Sequence, residues 1–173
     1  VRPLLKWAGG KRQLLPALEP YYPQSFQRYL EPFVGSGAVF FHLATTGILD
    51  GRTVTLSDVN VDLIGCYRTV RDRTEDVIKA LQNLEREHRR RGDACYYDVR
   101  DQRFNPARAK LAAGGDGATD RYPPVLAAML IFLNRTGFNG LFRLNGLGES
   151  NVPAGRYTDP RICDPEHVRA VAA

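Results

Sequence analysis

Three stretches of the sequence hold residue types that could do chemistry. The first is Gly35-Ser36-Gly37, which follows the apolar run Tyr29–Val34 and precedes a helical pattern. Glycines at a strand-to-helix turn let a ligand approach the backbone and aim helix N-terminal N–H groups at it. Position 40 is Phe, so the third glycine of the dinucleotide fingerprint is missing, and a plain tight turn is the alternative. Asp58 adds to the signal. It closes the next β-rich run, 23 positions after Gly35, where an acid can accept hydrogen bonds from both ribose hydroxyls of an adenosine-containing cofactor. Its alternative role is the N-cap of the following helix. Together the two features point to a nucleoside cofactor, without choosing between a nicotinamide dinucleotide and S-adenosylmethionine.

The second stretch is Lys6-Trp7-Ala8-Gly9-Gly10-Lys11. It is not a phosphate-binding P-loop. The glycine five positions before Gly-Lys is absent, and Arg12 replaces the Ser or Thr that would hold magnesium. An aromatic ring beside glycines, followed by a lysine, can wall in a cofactor and pair with its carboxylate. A packed Trp with a helix-start Lys is the alternative. The third stretch, residues 134–157, is dominated by Asn, Gly and Arg with short apolar pairs between them, which is hairpin or loop composition. Arg135, Arg143 and Arg156 stand there against one acid, Glu149. Arg reads guanine edges and binds phosphate, and Asn reads adenine. Phe138 can wedge between bases or stack on them. The alternative is a surface hairpin with solvated arginines.

The elements that must position these residues follow from periodicity. Residues 29–34 read as a buried strand, 38–45 as a helix, 53–57 as a second strand and 61–71 as a helix. That order is a βαβ unit, which implies a parallel pair. Pro16 breaks the helical spacing of Leu14, Leu15 and Leu18 and predicts a kink or restart. Residues 74–91 form an amphipathic helix on Val77, Ile78, Leu81 and Leu84, with a charged tail that suits a solvated helix C-terminus. A helix over 95–104, a flexible loop over 112–121 and an apolar helix over 124–133 come next. Only two sheet strands are visible, so both sheet edges stay open.

Composition narrows the classes. The 43% hydrophobic and 25% charged fractions exclude a wholly disordered or fibrous chain. No apolar window is long enough to span a membrane, and the reading is a cytoplasmic protein. The net charge of +5 is spread along the chain, so it permits a polyanionic partner without demanding one. Cys66, Cys95 and Cys163 are scattered, as are His42, His88 and His167. That spacing argues against a disulfide framework and a zinc site.

The three stretches line up with one family. Lys6–Lys11, then Glu31-Pro32-Phe33-Val34-Gly35-Ser36-Gly37 with Ser57-Asp58-Val59-Asn60, then Asn134–Arg143 running into Asn151–Tyr157 occur in order and cover nearly the whole chain. In these blocks the sequence resembles the Dam-type adenine-specific DNA methyltransferases. The resemblance implies an α/β, Rossmann-type S-adenosylmethionine-dependent methyltransferase fold, incomplete here, with an inserted helical and β-hairpin DNA-recognition subdomain. Residues 1–72 would begin the cofactor domain, 73–160 would read the target, and 161–173 would start the return. The resemblance further implies that Trp7 and Lys11 contact S-adenosylmethionine, that Phe33, Gly35 and Gly37 shape its pocket, and that Asp58 holds its ribose. Double-stranded DNA would be the partner. Arg143 would make a direct base contact and Leu141 and Pro153 apolar ones. Phe138 and Asn139 would support the gap left by an extruded adenine. Lys6 would touch DNA, and Arg135 and Arg156 would contact phosphate or brace the hairpin. Position 138 is Phe where the family usually has Tyr, so stacking survives and a hydroxyl hydrogen bond is lost.

The family's catalytic Asp-Pro-Pro-Tyr segment is not found. Asp159-Pro160-Arg161 and Asp164-Pro165-Glu166 begin alike but lack the second Pro and the aromatic. The expectation is therefore the N-terminal part of a longer enzyme, inactive alone, with a non-catalytic DNA-binding module as the alternative and a nicotinamide-dependent oxidoreductase as the third. The intact mass of the natural gene product is expected to exceed that of these 173 residues, and a mass equal to theirs would sink the idea.

Overall fold

In a computed structural model of the chain, which describes residues 1–115 and 117–173, three short helical turns come first: Lys11–Leu14, α1 (Leu15–Leu18) and Glu19–Tyr21. Pro16 sits at the start of α1, where its missing N–H has no partner to lose. The βαβ unit follows as β1 (Arg28–Glu31), α2 (Ala38–Thr45) and β2 (Thr53–Leu56), with α3 (Val61–Asp72) behind it. The strands pair in parallel, Tyr29 opposite Val54 and Glu31 opposite Leu56. β1 ends earlier than its apolar run, because the backbone turns at Pro32 and Phe33. The pairing continues past it through Ser57 N–H to the Glu31 carbonyl and Val34 N–H to the Ser57 carbonyl, both 2.9 Å. The strand was expected to be buried, and it is not. Residues of both strands alternate between exposed and half-buried, because the described elements cover only one side of the sheet.

The core is helical. α4 (Thr74–Arg91), α5 (Asp93–Asp98), a π-helical segment (Val99–Phe104), α6 (Asn105–Ala113), α7 (Pro124–Thr136) and α8 (Pro165–Ala172) complete the chain. α7 is buried almost all round, from Leu126 to Asn134. A helix apolar on every side belongs in the centre, and α3 and α4 pack on it. α4 has the bounds its periodicity predicts, with Val77, Ile78, Leu81 and Leu84 inside. In its charged tail Glu87 takes ion pairs from Arg91 and Arg103.

The expected helix over 95–104 is instead α5 running into the π-segment and on into α6. Pro106 explains the widening. Its ring would press on the carbonyl four residues back in a regular helix, and a wider turn relieves that clash. α6 also takes in the first residues of the segment read as a loop, 112–121, of which residue 116 lies outside the described residues. α7 runs three residues past its expected end, so Asn134 and Arg135 belong to the helix and not to the hairpin. Gly137 stops it with an extended backbone. Among the described residues no helix is long and apolar enough to cross a membrane.

One polar node joins α3, α6 and the segment entering α7. Asp62, 4% exposed, accepts from Arg108 Nε at 2.6 Å and from the Tyr122 hydroxyl at 3.1 Å. The Tyr122 ring lies so close to α3 that a Cβ on Gly65 would sit 2.5 Å from its Cδ2. Gly65→Ala is therefore expected to destabilise the fold by about 1–3 kcal/mol through overpacking. Urea unfolding measures this, and an unchanged midpoint would contradict the packing.

Candidate functional site

The turn after β1 opens on a cleft of about 340 Å³ lined by Trp7, Lys11, Phe33, Gly35, Ser36 and Asp58, among others. Gly35 has φ +50°, which favours glycine, and a Cβ there would lie 3.3 Å from Trp7 Cδ1. Asp58 fastens the turn. Its Oδ2 accepts the Gly35 N–H at 3.0 Å, and its Oδ1 accepts the Asn60 N–H at 3.0 Å. The N-cap role weighed for Asp58 falls to Asn60, whose Oδ1 accepts the Leu63 N–H. Phe33 stands 78% exposed at the cleft. The Lys11 ammonium folds onto the Gly9 carbonyl at 2.7 Å. Ala38 and Val39, the first residues of α2, line the same space.

Gly37 is the exception among the expected pocket residues. It is part of the turn, with φ +72°, but a Cβ there would meet the Phe41 ring at 3.1 Å. It lines an apolar groove between α2, β2 and α3, not the cleft. Glu31 was missed by the sequence reasoning although it stands in a quoted block. It lines the cleft and accepts the Tyr29 hydroxyl at 2.7 Å. Burial raises its carboxyl above the ordinary range, and hydrogen bonds from Tyr29 and the Phe40 amide offset this only in part. Its place at the end of a strand beside Pro32 was the available signal.

A second cavity of about 540 Å³ lies on the other side of Trp7, which lines both together with Gly10 and Ser36. Arg2, Lys6, Arg12, Arg135 and Arg161 give it a cationic lining against Asp159, and His167, whose pKa burial lowers, lines it too. Arg135 does not reach the hairpin. One of its guanidinium nitrogens donates to the Arg161 and Ile162 carbonyls at 3.2 and 3.1 Å, so it braces the chain that follows. Burial lowers its pKa, Asp164 opposes the shift, and the charge of Arg2 adds to it. Asp164 is the N-cap of α8, accepting from the His167 N–H, which gives it a structural role.

Residues 137–154 fold as an irregular hairpin, bridged at Gly137–Ala154 and Leu144–Ser150. A 3₁₀ turn, Phe138–Gly140, begins it, with Asn139 at φ +54°. Phe138 N–H donates to the Pro153 carbonyl at 2.9 Å. Phe138, Asn139, Leu141, Arg143, Pro153 and Arg156 are all exposed. Arg143 Nε donates to Asn151 Oδ1 at 2.8 Å. Lys6 lies beside the hairpin, its ammonium 5.3 Å from the centre of the Tyr157 ring. The return limb is held from α5 to α6: Tyr96 and Arg100 donate to the Val152 carbonyl, and Asn105 exchanges two hydrogen bonds with Ser150.

A glycine turn clamped by an acid thus lies near a polar hairpin bearing exposed Arg, Asn and Phe. The family model of the D12 class N6 adenine-specific DNA methyltransferases matches residues 7–173. The chain belongs to this family. It is 36% identical over 173 residues to a type II methyltransferase, M1.LlaDCHI, of Lactococcus lactis subsp. cremoris, covering 99% of this chain and 54% of that protein. It is 38% identical over 181 residues to the type II methyltransferase M.MjaIII of Methanocaldococcus jannaschii, covering 99% and 58%. It is 35% identical over 165 residues to the DNA adenine methylase of Escherichia coli (strain K12), covering 95% and 51%. The chain thus spans about half the length of the curated relatives it matches. Membership of this family removes the nicotinamide-dependent alternative. For this D12 chain, no group of three or more His, Cys, Asp or Glu among the described residues could hold a metal ion.

The clamp has a measurable consequence. Asp58→Ala leaves the Gly35 and Asn60 amides without acceptors. At a half-buried site this is expected to cost about 1 kcal/mol. Faster hydrogen exchange at those two amides, read by NMR, checks it, and unchanged exchange there would refute the clamp.

Proposed function

We propose that these residues form the cofactor-binding and DNA-reading parts of a site-specific DNA methyltransferase. It would transfer a methyl group from S-adenosylmethionine to the exocyclic amine of adenine. The observation that carries this reading is the convergence of Trp7, Gly35 and Asp58 on one cleft beside the hairpin. Residues 1–72 are assigned to a Rossmann-type cofactor domain, 73–160 to an inserted target-recognition subdomain, and 161–173 to the return toward the cofactor domain.

The cleft fits the cofactor's chemistry. Each Asp58 oxygen accepts one backbone N–H and keeps lone-pair capacity for a ribose hydroxyl. Lys11 offers a cation to a carboxylate, and Phe33 offers an exposed ring to an adenine face. The N-terminus of α2 directs N–H groups into the same space. When bound, S-adenosylmethionine supplies a methyl group on a positively charged sulfur. The adenine amine is a weak nucleophile because its lone pair is delocalised into the ring, and the base must leave the helix to reach that methyl. In the proposed complex Phe138 and Asn139 fill the gap, Arg143 reads a base edge, and Leu141 and Pro153 make apolar contacts. Lys6 and Arg156 meet the backbone or brace the hairpin, and Arg135 meets the backbone from the cationic cavity. In-line positioning of amine and methyl supplies much of the rate. No catalytic residue is assigned within these residues.

Trp7 is the only tryptophan, so its fluorescence reports on the cleft. Titration with S-adenosylmethionine is expected to give a saturable change. Phe33→Ala is expected to weaken binding about tenfold, the loss of roughly 1.4 kcal/mol of aromatic contact, with no shift in unfolding midpoint because the ring is exposed. Arg143→Ala is expected to weaken duplex DNA binding and leave the cofactor titration unchanged. Duplex binding with no response to S-adenosylmethionine would overturn this reading in favour of a non-catalytic DNA-binding module.

A further inference from the structure

The cleft and the hairpin share a wall. The Trp7 indole has its edge against the glycine turn at Gly35. Its face stacks on Phe142 of the hairpin, with ring centroids 5.3 Å apart and planes 20° apart. One residue earlier the backbone is pinned. Asn134 Oδ1 accepts the Lys6 N–H at 2.8 Å, and its Nδ2 donates to the Lys6 carbonyl at 2.8 Å and the Gly140 carbonyl at 2.7 Å. Asn134 is 3% exposed, so these bonds are shielded from water. Gly140 allows the approach, because a Cβ there would lie 2.6 Å from Lys6 Cδ. Direct contacts therefore run from the turn through the indole to the hairpin ring, over a base fixed by Asn134.

We propose that Phe142 is a positioning residue through which occupancy of the cleft orders the hairpin. This rests on the cofactor reading of the cleft given above. A ligand in the cleft touches the indole and restricts its rotamers. The stack then restricts Phe142, which lies between Leu141 and Arg143, two of the proposed base contacts. Binding free energies are reciprocal, so DNA held by the hairpin tightens cofactor binding by the same factor.

Hydrogen–deuterium exchange on the whole 173-residue chain, with and without saturating S-adenosylmethionine, tests this. In the native chain the amides of residues 138–144 are expected to exchange about fivefold more slowly with cofactor, the low end of ordinary coupling. In Phe142→Ala the cofactor still binds, within about threefold by the same scale, and that protection disappears. Phe142→Leu, which keeps apolar bulk without the planar stack, loses it too, and Phe142→Tyr keeps it. Cofactor binding without slower exchange in the native chain overturns this proposal alone, as does full protection in Phe142→Ala. Failure of S-adenosylmethionine to bind the native chain overturns the cofactor reading and this proposal together.

Discussion

The bond between the Asp58 carboxylate and the Gly35 amide is the constraint on which the functional end of the molecule depends. The sheet behind it has two strands, and none of their residues is fully buried. Apolar packing therefore cannot alone fix how the strand ends meet. Three polar links do so: Ser57 to Glu31, Val34 to Ser57, and Asp58 to Gly35. The last closes the turn that follows Pro32 and Phe33, beyond the end of the ladder. It holds a glycine with positive φ in place beside an indole, and so sets the width of the cleft. The same carboxylate keeps lone pairs beyond these two bonds, so in the proposed complex one side chain would hold both the turn and the ligand.

The hairpin is held in a different way. Its outer residues bring little apolar area to the core, and its anchors are side-chain donors and acceptors on α5, the π-segment and α6 meeting backbone groups of its return limb. Tyr96, Arg100, Asn105 and Arg108 all act in this way. Such bonds are directional and individually modest, on the order of 1 kcal/mol each. They fix the path of the limb with Ser150 and Val152 turned inward and Asn151 and Pro153 left exposed. The helical core supplies rigidity beneath it. α7 is enclosed from Leu126 to Asn134, so the residues at its C-terminal end, Asn134 and Arg135, are placed with little freedom.

Much of this could be read from the residues, and the exceptions have physical causes. α4 was legible to its bounds because its apolar face is regular and Gly92 ends it with positive φ. The βαβ order was legible because glycine turns punctuate it. The end of β1 was not, since apolar residues continue through Phe33 while the backbone turns at Pro32. Five of the six expected cleft residues do line it; Gly37 does not, because its φ serves the turn and its open side meets Phe41. Arg135 was read with the hairpin on composition, yet three further residues of helix turn it toward the Arg161 and Ile162 carbonyls. The Trp7–Phe142 stack joins residues 135 positions apart, and no local pattern carries a contact of that range.

The cationic cavity follows from the same geometry. Arg135 must leave α7 on a side where Arg2 and Arg161 also gather, and burial among like charges opposes its ionisation. The backbone carbonyls of Arg161 and Ile162 accept hydrogen bonds from it, and Asp164 supplies an opposing charge. Asp164 is already committed, however, as the N-cap of α8 and to Arg161 at 3.3 Å. The positive potential on this side of Trp7 is thus only partly offset within the fold. A polyanion threading beside the hairpin would complete the balance. Trp7, Gly10 and Ser36 line both spaces, so in the proposed complex the cationic side and the cofactor cleft would meet at Trp7.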